Sequence, residues 1–321
     1  MVTVITPAHR EAWQAVFTQR IPAGPTERGF DEYYGIPYSN DMRPVQVLDG
    51  TQVVEYPVVQ ATLTQRYTAR AVRFIERNKG RPFFLCFAHA MPHKPLAASE
   101  LYYKKSGAGL YGDVMAELDA SVGAVLDALQ DAGVDDRTLV FFTSDNGPWF
   151  GGSSGGLRGM KGCTWEGGFR VPLIARWPGH IPAGHSSAQP AVMMDVFATV
   201  LKATGAALPD DRVLDGRDIL PLLTGDALSP HEAVFGHRGS RLATVRDARW
   251  KLHVLPAAQM NLKPEPLQAR HCLLMDPHLF IAPPPGITVC PCRSTSVSLV
   301  IDSVSRVRVF FRYTVKVGTT A

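Results

Sequence analysis

Four side chains in the sequence have the types needed to bind a divalent metal and an anionic ester. Asp145 and Asn146 follow the apolar run LVFFTS, and a carboxylate beside an amide oxygen forms a pair of hard ligands that suits Ca²⁺ or Mg²⁺. His93 follows the apolar run PFFLCFA, and an imidazole there can act as a general acid or bind an oxyanion. Lys161, in the Gly-rich stretch GMKGCTWEGGFRVP, can place a positive charge on an anion.

Each of these residues also has a simpler explanation. Asn146-Gly147 is a common turn pair, and an aspartate at a strand end often caps the next segment. A histidine in a Pro-constrained loop is often only a surface residue, and a lysine in a Gly-rich loop is often only solvated. Glu166 and Arg170 are expected to pair with each other and brace that loop.

The combination carries more information than any member, because all three segments come after predicted strands. The carboxyl ends of strands in an open α/β sheet are where ligands bind, so the segments are expected to converge at one edge. Two oxygen ligands, one imidazole and one ammonium would then form a metal-assisted anion-ester site.

The elements that must position these residues can be inferred from the hydrophobic pattern. Helical spacing and glycine stops predict helices over 67–78, 113–132 and 195–204. Short apolar runs predict buried strands over 82–88, 139–144 and 171–177. The alternation predicts an α/β fold with a mixed, mostly parallel sheet between helices, and directs attention to the residues just after Ala88, Ser144 and Trp177.

Changes in composition suggest four regions. Residues 1–27 are expected to be an irregular lead, and 28–230 the α/β domain, whose first part (28–60) consists of ordered loops. Residues 231–255 begin a small C-terminal antiparallel sheet region, with a hairpin over 242–255. The tail at 256–321 differs in character from the preceding domain.

Charge and composition exclude several functional classes. The net charge of +4 suits an anionic substrate but is too small to indicate nucleic acid. No apolar run is long enough to predict a membrane span. The five scattered cysteines suggest no disulfide framework, and the N-terminus shows no secretory signal, so the chain as written is expected in the cytoplasm.

The sequence resembles the sulfatase family, in particular its arylsulfatase and N-acetylgalactosamine-6-sulfatase-like members. The resemblance covers about residues 27–255, through six motifs in the family's order: GFDEYYGIPYSND, PFFL…PHKP, GDVMAELDASVG, LVFFTSDNGP, GMKGCTWEGGFRVPLIARWPGHI and DGRDILPLLTG. It implies an alkaline-phosphatase-like α/β/α sandwich and Ca²⁺-dependent hydrolysis of small-molecule or sugar sulfate esters, with Ca²⁺ in preference to Mg²⁺. Intact relatives are expected in the periplasm, the lysosome or outside the cell.

By motif match, the resemblance implies that Asp145 and Asn146 are metal ligands. It implies that His93 contacts the sulfate or protonates the leaving oxygen, and that Lys161 binds the sulfate. The family's nucleophile is a formylglycine made from the cysteine of a C-x-P-S-R motif, and none of the five cysteines stands in that motif.

These departures predict an N-terminally truncated sulfatase that is inactive as written. The family's upstream metal-binding aspartates and its G-K-W-H-L-G segment are also not found in the sequence. Two alternatives stay open: a non-catalytic remnant that binds an anion or sulfated sugar, and a phosphonate or phosphodiester hydrolase of the same superfamily. The sequence does not indicate an oligomeric state.

Overall fold

The structure is a computed structural model that describes residues 24–42, 45–149 and 151–255, and the backbone of a strand at 288–291. These residues form two compact units, one reaching to Asp135 and the other beginning at Asp136. Within the described residues, no helix is both long and apolar enough to cross a membrane. The predicted lead up to residue 23 and most of the 256–321 tail lie outside the described residues.

Two helices dominate the first unit, because both carry an apolar stripe with helical spacing. Helix α1 (Leu63–Asn78) buries Leu63, Tyr67, Ala71 and Ile75, each four residues after the last. Helix α2 (Gly109–Asp131) packs against α1. Both predicted helices are confirmed, with earlier starts than the sequence suggested.

A small sheet precedes these helices, where the sequence predicted only ordered loops. Its strands β1 (Tyr34–Gly35), β2 (Val47–Asp49) and β3 (Gln52–Glu55) pair antiparallel in that order. Gly50 lies in the left-handed region, at φ 59°, in the two-residue turn between β2 and β3. The sheet contributes Val47 to an apolar cluster with Leu63 and Tyr67 of α1.

The described residues of the second unit form two sheets and three α-helices. Strands β4 (Val140–Thr143) and β5 (Leu173–Arg176) form one pair, and the other sheet has the order β6-β7-β8-β9. Its strands are β6 (Val234–Arg238), β7 (Arg241–Arg246), β8 (Trp250–His253) and β9 (Thr288–Pro291). The helices are α3 (Glu166–Phe169), α4 (Asp195–Ala203) and α5 (Leu220–Thr224). The predicted hairpin over 242–255 and the predicted helix over 195–204 are confirmed.

The predicted parallel sheet is not confirmed, because every strand pair among the described residues is antiparallel. Strand β4 pairs with β5 in the register Val140↔Arg176 and Thr143↔Leu173. Trp177 therefore lies at the opposite end of the pair from Ser144, and the expectation that both ends share one edge is wrong. The segment that leads into β5, which contains Lys161, lies beside the end of β4.

The predicted strand over 82–88 is also not formed. The segment is irregular, and none of its residues pairs with a strand in the part of the chain that the structure describes. It is fixed by aromatic packing, with Phe83 buried and its ring 5.7 Å from that of Phe74 in α1.

Candidate functional site

Asp145 and Asn146 form the first turn after β4. The Ser144 hydroxyl donates a hydrogen bond to the backbone oxygen of Asn146 at 3.1 Å, which closes the turn. Asp145 is exposed and Asn146 is half-buried. The turn explanation of this pair is thus correct for the backbone, and it leaves the carboxylate in contact with solvent.

Gly147 fixes this turn against helix α3. Its N–H donates to the Gly168 oxygen at 3.0 Å, and a Cβ atom added to it would lie 1.8 Å from the Gly167 oxygen. No side chain fits in that space, so the backbone after Asn146 lies directly on α3.

The loop that carries Lys161 is bound to the same turn. The Lys161 N–H donates to the Pro148 oxygen at 2.9 Å, and the Gly167 N–H donates to the Arg158 oxygen at 2.7 Å. Lys161 is half-buried, and no carboxylate pairs with its ammonium within the described ranges. The structure therefore joins the backbone of Lys161 to the turn that carries Asp145 and Asn146.

Glu166 braces this loop through two residues of the C-terminal sheet, in addition to Arg170, whose N–H donates to the Glu166 backbone oxygen at 2.6 Å. Its carboxylate accepts a hydrogen bond from Lys251 Nζ at 2.8 Å, and its other oxygen lies 3.3 Å from Arg246 Nε. Burial would raise the pKa of Glu166, but the charges of Lys251, Arg246 and Arg170 outweigh it and hold that pKa below its ordinary value. The charge of Arg170 acts on Glu166 as well, and two further partners come from strands β7 and β8.

Three further residues near this ion pair were not predicted from the sequence, namely Arg158, Lys251 and His253. The Arg158 guanidinium lies 3.7 Å from the centroid of the Trp165 ring, and the His253 ring lies 4.3 Å from it on centroids. Lys251 and His253 alternate along β8, a spacing that places both on one face and was visible in the sequence. Their contact with the loop was not visible, because it depends on the fold.

His93 lies in the first unit and has anchors of its own. The buried Asn40 side chain donates to the His93 and Pro95 backbone oxygens, at 3.3 and 3.1 Å. The His93 Nδ1 lies 2.8 Å from the Lys94 oxygen, which can only accept, so Nδ1 carries a proton and Nε2 is left for a ligand. The side chain is 33% exposed.

The neighbouring His89 is a structural residue. Its Nε2 lies 3.3 Å from the Ser121 hydroxyl, and its ring packs on Phe87 at 4.3 Å. Burial lowers the pKa of His89 to about 4, so this imidazole is neutral near pH 7.

The chemistry of the turn suits Ca²⁺, while the number of ligands is small. Carboxylate and amide oxygens are the donors that Ca²⁺ prefers, and it takes roughly six to eight of them. Asp145 and Asn146 supply two side chains, and no group of three or more His, Cys, Asp or Glu residues that could hold a metal occurs among the described residues. The described residues therefore fit part of a calcium site.

The comparisons with known proteins agree with the motifs. The sequence model of the Sulfatase family matches residues 3–206. The chain is 42% identical to N-acetylgalactosamine-6-sulfatase of Canis lupus familiaris over 253 residues, 71% of this chain and 48% of that protein. It is 41% identical to human steryl-sulfatase over 206 residues, 61% of this chain and 35% of that protein.

A solved structure has the same fold. It comes from work on the metabolism of multiple glycosaminoglycans by Bacteroides thetaiotaomicron, with a TM-score of 0.68 and 23% identity over 76% of this chain and 65% of that chain. The chain spans about half the length of the first of these curated relatives and about a third of the second. With a family match over more than half of its residues, the chain belongs to the sulfatase family.

Proposed function

We propose that the chain carries one half of a sulfate-ester hydrolase site. Asp145 and Asn146 bind Ca²⁺, Lys161 binds the sulfate group, and His93 gives a proton to the leaving oxygen. The observation that supports this most is the 2.9 Å backbone bond between Lys161 and Pro148, which ties the residue that carries the ammonium to the backbone just after the two oxygen ligands.

The roles follow from the chemistry of each group. When bound, Ca²⁺ would polarise the sulfate and stabilise negative charge on its oxygens. Lys161 adds a positive charge that no acidic side chain among the described residues neutralises. Nδ1 of His93 is engaged by the Lys94 oxygen, so the proton given to the leaving oxygen would come from Nε2 of the doubly protonated ring, which returns to the neutral imidazole.

Binding of a lanthanide tests the metal half of the proposal. Tb³⁺ prefers the same oxygen donors as Ca²⁺, and Trp149, four residues after Asp145, can sensitise its luminescence. We expect saturable luminescence that Ca²⁺ displaces, lost in Asp145→Asn and unchanged in Asp226→Asn, an exposed aspartate of the same unit. Equal signals from both variants would contradict the metal assignment.

Calorimetry with a sulfated amino sugar tests the anion half. A relative is named as an N-acetylgalactosamine-6-sulfatase, so N-acetylgalactosamine 6-sulfate is the probe. We expect weak saturable binding, lost in Lys161→Ala and kept in Lys202→Ala, an exposed lysine of α4. N-acetylgalactosamine 6-phosphate tests the alternative of a phosphonate or phosphodiester hydrolase, which predicts that the phosphate binds more tightly than the sulfate.

We further propose that these 321 residues alone do not turn over a sulfate ester. None of the five cysteines stands in a C-x-P-S-R motif, so the covalent route of the family has no nucleophile within them. The chain is then a non-catalytic binder of sulfated ligands when it acts alone. Turnover of an aryl sulfate by purified protein, lost in Lys161→Ala, would overturn this.

A further inference from the structure

Strand β8 reaches the proposed site through one nearly buried ion pair. The Lys251 side chain is 3% exposed and that of Glu166 is 14% exposed, with 2.8 Å between Nζ and Oε1. Arg246 of β7 lies on the other carboxylate oxygen at 3.3 Å. Two strands of the C-terminal sheet thus hold the first residue of helix α3.

Helix α3 in turn contacts both the Asp145–Asn146 turn and the segment that contains Lys161. Gly168 accepts the Gly147 N–H, and Gly167 leaves no room for a Cβ atom on Gly147, so the Asp145–Asn146 turn cannot shift independently of α3. The Gly167 N–H holds the Arg158 oxygen at 2.7 Å, at the start of the segment that contains Lys161.

A second contact from β8 acts on the same segment. His253 lies two residues after Lys251 on the same face of the strand, and its ring packs on Trp165, next to Glu166. Arg158 covers the Trp165 ring at 3.7 Å. The loop is therefore held from β8 at two adjacent positions, one by charge and one by ring packing.

We propose that Glu166 and Lys251 are positioning residues, which set the geometry of the Asp145–Asn146 turn and of Lys161 without touching the ligand. This rests on the proposed function of that site. The pair acts as an outer shell, and loss of such partners typically lowers metal affinity by about 10- to 100-fold. Neither residue belongs to the motif residues assigned to metal or sulfate.

The test uses Tb³⁺ binding to the full 321-residue chain. Lys251→Met keeps most of the side-chain volume and removes the charge, so we expect Tb³⁺ affinity to fall by about tenfold. Lys251→Arg keeps a cation beside Glu166, so its Tb³⁺ affinity is expected to stay closer to that of the parent than the affinity of Lys251→Met. If Lys251→Met does not fold, Glu166→Gln, which has the same shape without the charge, carries the same expectation.

The double variant separates positioning from general destabilisation. Once Glu166→Gln is present, adding Lys251→Met is expected to weaken Tb³⁺ binding by less than in the parent, because the two residues act through one contact. Unchanged affinity in Lys251→Met, with Asp145→Asn still abolishing binding, overturns the positioning role and leaves the proposed function standing. If Asp145→Asn binds Tb³⁺ as the parent does, the proposed function fails and this inference fails with it.

Discussion

At the scale of single residues, Gly147 is where the structure leaves least freedom. A Cβ atom there would lie 1.8 Å from a backbone oxygen of α3, and backbone cannot turn aside as a flexible side chain can. Its position directly after Asp145-Asn146 means that any adjustment displaces the proposed metal ligands.

We expect Gly147→Ala to lower the free energy of unfolding by about 1–3 kcal/mol and to weaken Tb³⁺ binding. Urea denaturation and Tb³⁺ luminescence measure the two effects. Gly123→Ala is the control, because no atom lies within 4 Å of its Cβ position inside helix α2. That variant should be slightly more stable than the parent, since alanine favours helix.

The buried side chain of His253 makes the stability of the folded protein depend on pH. It is 1% exposed, and neither ring nitrogen has a hydrogen-bond partner within the described residues. Burial, and then the charges of Lys251 and Arg158, lower the pKa of His253 from 6.5 to about 4. The imidazole is thus neutral in the folded protein over a range where the unfolded chain binds a proton.

Because the folded pKa is depressed, stability is fully present above pH 6.5 and is lost as the pH falls toward 4. The difference corresponds to about 3 kcal/mol, at about 1.4 kcal/mol per unit of pKa. His253→Phe keeps a ring against Trp165 and removes the titration. We expect its urea midpoint to fall less than that of the parent between pH 6.5 and pH 4, and equal slopes would contradict this.

At the scale of elements, helix α4 depends on its first residue. Asp195 is fully buried, and its carboxylate accepts the N–H groups of Val192 and Arg217 at 2.7 and 2.8 Å. His231 Nε2 lies 2.7 Å from the same carboxylate. Two segments 22 and 36 positions further along the chain are therefore joined to the start of this helix.

In Asp195→Asn, an NH₂ group takes the place of one carboxylate oxygen. This group faces a hydrogen-bond donor and cannot accept from it. We expect the free energy of unfolding of the second unit to fall by about 2–4 kcal/mol, because buried donors are left without acceptors. Chemical denaturation followed by tryptophan fluorescence measures this. The exposed Asp226→Asn serves as the control, and a wild-type midpoint for Asp195→Asn would show that the carboxylate is not needed.

The elements that could be predicted are those whose evidence lies within one stretch of sequence. Helices α1 and α4 follow from apolar spacing and a glycine stop, and β4 from a run of apolar residues. The strands of the first sheet escaped notice because they are short and interrupted by Gly35 and Gly50. The segment over 82–88 has the composition of a strand, but among the described residues no strand forms a sheet with it.

In the candidate site, too, only the features whose evidence lies within one stretch of sequence could be predicted. Its motif residues were found from their types and order in the sequence. The contact of Glu166 with the C-terminal sheet was not, because Lys251 is 85 positions away. Sequence proximity indicates Arg170, whose charge also lowers the pKa of Glu166, and only the folded structure adds Lys251 from another sheet.

At the scale of the whole molecule, the two compact units can be followed by different spectroscopic signals. Helices α1 and α2, with 16 and 23 residues, lie in the first unit and hold most of the helical residues that the structure describes, so circular dichroism at 222 nm mainly follows this unit's described helices. Trp149, Trp165, Trp177 and Trp250 all lie in the second unit. The two spectroscopic signals therefore follow different parts of the chain.

In a Trp13→Phe background, which leaves only those four tryptophans, we expect Asp195→Asn to shift the fluorescence midpoint more than the midpoint of circular dichroism at 222 nm. Chains with two compact units often depart from two-state unfolding, and the substitution acts in only one of them. Equal shifts of both midpoints would show that the units unfold as one.

The backbone bond from Lys161 to Pro148 also has a consequence for how this protein can diversify. It joins the two ends of the intervening segment, and the Gly167 bond to Arg158 anchors the loop a second time. Lengthening a closed loop is inexpensive, at about 0.6 kcal/mol for each doubling. Residues between these anchors can be exchanged or extended by grafting while the charged groups at the base keep their places, so new ligand preferences can be acquired without rebuilding the chemistry.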